Sequence, residues 1–315
     1  MTSRGLSSPA LALAISVATL AASPGVTHAQ DAIPEHQVDL GIDGMITGVG
    51  AVGSVLAMLI PVDTTRSWDH ELFGALDERV KQHVSASAAK LADGLLLTTL
   101  AMPAALLVGG ALDDGTRDRF LIYAESISAN LLVNSVAKYL VQRPRPYSYN
   151  TDPSVEAMQQ GEGKDAFLSF YSAHAAIGFG GAVTGAYIFG AGTSDANVRA
   201  LVWGVELAAA AATANLRVRA GRPFYSAVIL GSLVGAGIGF LVPALHADEG
   251  AVYAPSGREY AAMAAGIVVG AVGSQLLPLH DDVLIRIGDA PTPVSVSLQP
   301  IPLPEGGGLA AVGTF

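Results

Sequence analysis

Residues 120–146 read FLIYAESISANLLVNSVAKYLVQRPRP. The stretch begins as an apolar run long enough to approach the roughly 20 residues that cross a hydrocarbon core. Its polar residues are not scattered. Ser126, Asn130, Asn134 and Lys138 recur every fourth position, so on a helix they form one stripe. Polar groups inside a spanning segment are costly and face the bundle interior or a cavity. The stripe ends at Lys138, and Arg143 and Arg145 follow where the apolar run stops. A membrane helix with a polar inner seam and a cationic end is the expected structure.

The rest of the chain agrees with that reading. Of its 315 residues, 51% are hydrophobic and 14% charged, with 36 glycines, whereas soluble domains carry about a quarter charged residues. Apolar stretches recur at about 40–62, 95–111, 120–141, 173–190, 201–216, 224–245 and 260–277. The expected fold class is all-α, a multi-span transmembrane helical bundle occupying 30–280. Between the first two stretches, the spacing of Trp68, Leu72, Leu76 and Val80 predicts an amphipathic helix lying at the membrane interface. The prolines beyond residue 280 and the alternating Val294-Ser295-Val296-Ser297-Leu298 predict an extended tail over 281–315. Gly-x-x-x-Gly pairs at Gly181/Gly185, Gly235/Gly239 and Gly266/Gly270 suit close packing within one bundle more than a dimer face, although a homo-oligomer is compatible with them.

Arg4, an apolar run over about 11–22 and the small-residue site Thr27-His28-Ala29 have the pattern of a signal peptide over 1–29. An uncleaved anchor is the alternative. Either directs the chain to an envelope membrane, here the inner membrane of a bacterial-type envelope. A formal net charge of −10 from 17 basic and 27 acidic residues argues against nucleic acid as a partner. The absence of cysteine excludes disulfides and thiolate chemistry.

Two further segments carry polar groups at apolar boundaries. Ser169-Phe170-Tyr171-Ser172-Ala173-His174 opens the fourth apolar stretch, and Arg217-Val218-Arg219 closes the fifth, with Arg222 close behind. If all segments span, these ends lie on the membrane face that carries Lys138. Cationic donors, a serine, a histidine and a helix N-terminus then converge, which suits a phosphate group.

These residues resemble the motifs of the type-2 phosphatidic acid phosphatase and vanadium haloperoxidase superfamily. Lys138, six residues, then Arg145-Pro146 matches its first motif. Its second, Pro-Ser-Gly-His, reads Tyr171-Ser172-Ala173-His174 here. The third is Ser-Arg, five residues, His, three residues, Asp. Here Arg217 keeps the arginine, Leu216 replaces the serine, Pro223 the nucleophilic histidine and Ala227 its orienting aspartate.

The resemblance implies a type-2 phosphatidic acid phosphatase-like helical bundle. In it Lys138, Arg145, Ser172 and Arg217 bind phosphate oxygens, and His174 holds the general-acid position. It implies no metal and no cofactor, and His280-Asp281-Asp282 reads as a solvated helix end. The implied partners are a phosphorylated lipid or phosphate-like anion, together with membrane lipid. With nucleophile and orienting acid both replaced, the expected function is phosphate-ester binding with lost or impaired phosphatase activity. The alternative is an active lipid phosphatase using water or His174 in a rearranged site. A transporter-like role for Glu125 and Glu206 is a third class.

Overall fold

The computed structural model describes residues 36–65, 75–81, 83–107, 114–150, 153–248, 252–279, 283–284, 295–303 and 306–314. The expected signal segment, Trp68, Leu72 and His280-Asp281-Asp282 lie outside them. The chain forms helices α1 (Leu40–Ala57), α2 (Ala75–Val80), α3 (Ala86–Leu107), α4 (Asp114–Val141), α5 (Pro153–Glu162), α6 (Ala173–Ala191), α7 (Ala196–Arg219), α8 (Tyr225–Leu245) and α9 (Gly257–Gln275). A short antiparallel pair, β1 (His83–Val84) with β2 (Val283–Leu284), belongs to the same compact unit. In a second unit, β3 (Ser295–Leu303) pairs antiparallel with β4 (Gly306–Thr314), and residues 295–298 of the alternating patch fall within β3.

Each of the seven apolar stretches is helical over most of its described residues. Four segments, Leu40–Ala57, Ala86–Leu107, Gly115–Tyr149 and Tyr225–Leu245, are long and apolar enough to cross a membrane. The protein is therefore a multi-span helical membrane bundle. α6, α7 and α9 are less apolar, for physical reasons. α6 is buried along nearly its whole length, packed by α3, α4, α7 and α8, so glycine and alanine serve where lipid-facing helices need larger side chains. α7 contains Arg199, Glu206, Arg217 and Arg219, all turned into contacts or the interior. In contrast, α1 exposes Ile42, Met45, Val49 and Val52, an apolar outer face suited to lipid.

The segment before α3 differs from the expected interfacial helix. α3 begins at Ala86, nine residues before the apolar stretch that predicted it, and takes in Asp93. α2 covers only Ala75–Val80, and Val80 is buried. Val80, the last of the periodic apolar residues, is packed inside the bundle.

Helix starts are set by local chemistry. Asp39 accepts from the Gly41 and Ile42 amides, while Asp43 accepts from the Asp39 amide, a reciprocal cap. At the start of α9 the bonds run one way, with Glu259 accepting from both the Ser256 amide and the Ser256 hydroxyl.

The Gly-x-x-x-Gly pairs are used inside the bundle. A methyl at Gly235 would fall on the Ala176 carbonyl and one at Gly239 on the Gly180 carbonyl, so α8 lies against the α6 backbone. Gly266 and Gly270 bring α9 equally close to α7. Gly235→Val should therefore destabilise the bundle by about 1–3 kcal/mol through overpacking, read as a lower thermal midpoint in detergent. An unchanged midpoint would contradict this backbone contact.

Candidate functional site

The polar stripe of α4 faces inward. Ser126 Oγ lies 2.7 Å from Thr184 Oγ1 of α6, Asn130 Nδ2 donates to the Ser126 carbonyl, and Asn134 Nδ2 donates to the Tyr171 carbonyl at 2.9 Å. The last bond ties α4 to the turn before α6. The Tyr171 hydroxyl in that turn is pushed up to about 12 by burial, so it stays neutral at physiological pH. Lys138 follows one turn beyond Asn134. There α4 ends at Gln142, whose φ of 51° takes the left-handed conformation of a helix C-terminus. The Gln142 side chain accepts from the Asp63 amide and donates to the Pro61 and Tyr139 carbonyls. It thereby ties the end of α1 to the end of α4.

The next two arginines have different surroundings. Arg143 is buried and donates to Asp77 Oδ2 at 3.1 Å and Ser226 Oγ at 2.8 Å, with its guanidinium 3.9 Å from the Phe224 ring centroid. Asp77 also accepts from the Ser226 amide and hydroxyl. Arg143 thus joins α2, the end of α4 and the first turn of α8. Arg145 donates to the Asp165 carbonyl through Nε (2.8 Å), to Asp165 Oδ2 through Nη2 (2.6 Å) and to the Arg222 carbonyl through Nη1 (3.4 Å). Arg222 in turn pairs with Glu162 at 2.7 Å.

Ser172 caps α6, its Oγ accepting from the Ala175 amide at 3.3 Å. Its own amide donates to the Ala227 carbonyl at 3.0 Å, so α8 positions the start of α6 through backbone alone. His174, in the first turn of α6, has Nε2 2.7 Å from Asp93 Oδ1. Arg217 Nη1 donates to the same oxygen at 3.1 Å.

Arg217 and Lys138 both act electrostatically on His174, and Arg145, Asp165 and Arg217 act on Lys138. Lys138, Arg145, His174 and Arg217 are therefore one electrostatic cluster, supplied by α4 and its following turn, α6 and α7. Ser172 lies two residues before His174. Pro223, where the resemblance expects a histidine, is buried just before α8, and Ala227, where it expects an aspartate, is 1% exposed.

Sequence reading missed three members of this end of the bundle. Asp93, Asp165 and Glu162 supply the carboxylates that meet His174, Arg217, Arg145 and Arg222. None falls in a motif. Asp93 stands 81 residues from His174, and its one visible signal was an acid close to the start of an apolar run.

The family model of the PAP2 superfamily matches residues 119–251. No curated protein and no solved structure matches the chain. The matched residues include Lys138, Arg145, Ser172, His174 and Arg217 at the helix ends just described, so over this segment the chain is similar to the PAP2 superfamily, as the motifs led one to expect.

Proposed function

We propose that this membrane protein binds a phosphorylated lipid or another phosphate ester, with lost or impaired phosphatase turnover, in the inner membrane of a bacterial-type envelope. The observation that carries the reading is the joint condition of the site. Lys138 and Arg217 lie within electrostatic reach of His174, and Arg145 within reach of Lys138, while the resemblance puts Pro223 and Ala227 at the positions of the nucleophile and its orienting acid. Cationic donors bind phosphate oxygens whether or not a nucleophile is present, and proline has no ionisable group with which to attack.

A lipid is favoured by an almost wholly apolar cavity of about 560 Å³ between α6, α7, α8 and α9. Its lining runs from Trp203 and Pro255 to Val218 and Tyr225. The latter end adjoins Arg217 in sequence, so an acyl chain in the cavity would leave its phosphate near the cationic cluster.

Phosphate or vanadate should therefore raise the thermal midpoint of the purified protein. At about 100 times the dissociation constant the protection amounts to ~2.7 kcal/mol. Arg145→Glu should abolish it; equal protection of this variant would refute Arg145 as a ligand.

A second reading is favoured by the bond between Asp93 and His174. A carboxylate accepts only, so Nε2–H donates to Asp93 and Nδ1 keeps the lone pair. This is an acid orienting a histidine, the relation missing at 223 and 227. In that reading His174 Nδ1 attacks phosphorus and the P–O bond to the leaving group breaks, a lipid alkoxide that takes a proton from water or an isoprenyl phosphate; water then hydrolyses the phosphohistidine to phosphate and free His174. Phosphate release from phosphatidic acid, phosphatidylglycerol phosphate or an isoprenyl pyrophosphate would support it if lost in both His174→Ala and Asp93→Asn. Absence of release from wild type, with phosphate binding retained, supports the first reading.

A further inference from the structure

Away from the cationic cluster, Asp43 of α1, Glu125 of α4 and His246 at the end of α8 meet in the interior. Each is 8% exposed. Their potential ligand atoms all lie within 4.8 Å of one another. His246 Nε2 is 3.6 Å from Asp43 Oδ1 and 3.4 Å from Glu125 Oε2. Thirteen residues of α4 separate Glu125 from Lys138, or about 20 Å at 1.5 Å per residue, so this is a separate place.

The hydrogen bonds around the cluster orient its lone pairs inward. His246 Nδ1 lies 2.9 Å from the Val242 carbonyl. A carbonyl only accepts, so Nδ1 carries the hydrogen, and whenever the ring is neutral its lone pair lies on Nε2, towards the two carboxylates. A backbone carbonyl behind one ring nitrogen is also the usual support of a metal-ligating histidine. Asp43 commits Oδ2 to the Asp39 amide at 2.8 Å, which leaves Oδ1 towards His246. Glu125 Oε2 is buried and makes no hydrogen bond. With His246 neutral, three electron-pair donors face one another, and the carboxylate charges among them are costly in the interior unless a bound cation compensates them.

The spacing indicates which cation. Zinc binds imidazole nitrogen and carboxylate oxygen at about 2.0–2.2 Å, and tetrahedral geometry then sets neighbouring ligand atoms about 3.3–3.5 Å apart. The observed 3.4 and 3.6 Å are close to that edge and longer than a direct charge-assisted hydrogen bond of about 2.7–2.9 Å. Magnesium and calcium prefer all-oxygen shells of higher coordination number, whereas imidazole suits zinc and its neighbours.

We infer that Asp43, Glu125 and His246 form a site for one divalent transition-metal ion of the zinc class, fastening α1 to α4 and α8. The chain already converges at this point. The Gln37 amide donates to the His246 carbonyl at 2.9 Å, and Gln37 Nε2 donates to Asp248 at 2.9 Å. The ion would complete the attachment of α1 with three protein ligands and a fourth position open to water.

The test uses the full chain, purified in detergent, stripped by a chelator and titrated with zinc, magnesium or calcium. Bound metal and the thermal midpoint are read in parallel. Zinc should bind at about one ion per chain and raise the midpoint by several degrees, while magnesium and calcium at equal concentration should not. Glu125→Gln and His246→Gln keep the approximate side-chain size while removing a ligand, and each should lose both the bound zinc and the rise. Should His246→Gln fail to fold, Glu125→Gln decides alone, and cobalt(II) in the wild type provides an independent reading. Intense visible bands of a four-coordinate ion support the site; weak six-coordinate bands overturn it. Failure of stripped wild type to take up stoichiometric zinc, or equal uptake by Glu125→Gln, also overturns it. Phosphate protection read on the same samples is expected to persist without zinc.

Discussion

Pro223→His combined with Ala227→Asp is expected to raise hydrolysis of lipid phosphate monoesters by about 10³-fold or more, the order of loss seen when a nucleophile and its partners are removed from other hydrolases. The cationic ligands are independent of these positions. Lys138 and Arg145 come from α4 and its following turn, His174 from α6 and Arg217 from α7. The bond from the Ser172 amide uses the Ala227 backbone carbonyl, which any residue supplies. Ala227 is buried, so aspartate must find room for its carboxyl group. Histidine alone would lack the acid that orients the ring, and Pro223→His should therefore recover less than the pair. Phosphate release under single-turnover conditions is the measurement. A double variant that folds and binds phosphate, yet hydrolyses no faster than wild type, would show that the site does not support the family reaction at these positions.

Asp77→Ala is expected to destabilise the protein by about 3–5 kcal/mol, the cost of stranding one member of a buried ion pair. The Asp77 side chain is fully buried and that of Arg143 is 2% exposed. The substitution removes a carboxylate from the guanidinium, which keeps its contacts with Ser226 and the Phe224 face, and it deprives the Ser226 amide of its acceptor. The effect should reach the phosphate site, because Arg143 precedes Arg145 by two residues and Ser226 adjoins Ala227. Denaturation midpoints and phosphate protection should fall together. Adding Arg143→Met should return part of the lost stability, since the stranded charge is then gone. A double variant as unstable as the sum of the two single ones would mean that the pair is not coupled.

The contrast between Arg143 and Arg145 shows how much was legible in advance. Both follow the same apolar run, and motif spacing selected Arg145 as the ligand. Nothing nearby identified Arg143 as a structural residue, because its partners Asp77 and Ser226 lie 66 and 83 residues away. The stripe from Ser126 to Lys138 was legible for the opposite reason. A four-residue repeat on a helix specifies a face, and a polar face within an apolar span has few places to go except inward. The interfacial helix expected around Leu76 and Val80 illustrates the limit of periodicity. The same spacing serves a helix on a membrane surface or one packed into a bundle, and buried Val80 belongs to the second.

Sequence by itself determined the apolar helices, the inward stripe, the glycine pairs and the order of Lys138, Arg145, Ser172, His174 and Arg217, since each is written in short spacings along one element. The motif resemblance also sets Pro223 and Ala227 where a histidine and an aspartate are expected. Only the tertiary structure decided that Asp93 bridges His174 and Arg217, that Asp77 holds Arg143, and that Asp43, Glu125 and His246 share one buried point. Those pairings join residues from separate helices, and the angles at which helices pack determine which of many distant charged groups meet. The physical reason is desolvation: in an apolar bundle each buried charge needs compensation, and packing supplies the compensating group from wherever in the chain it happens to lie.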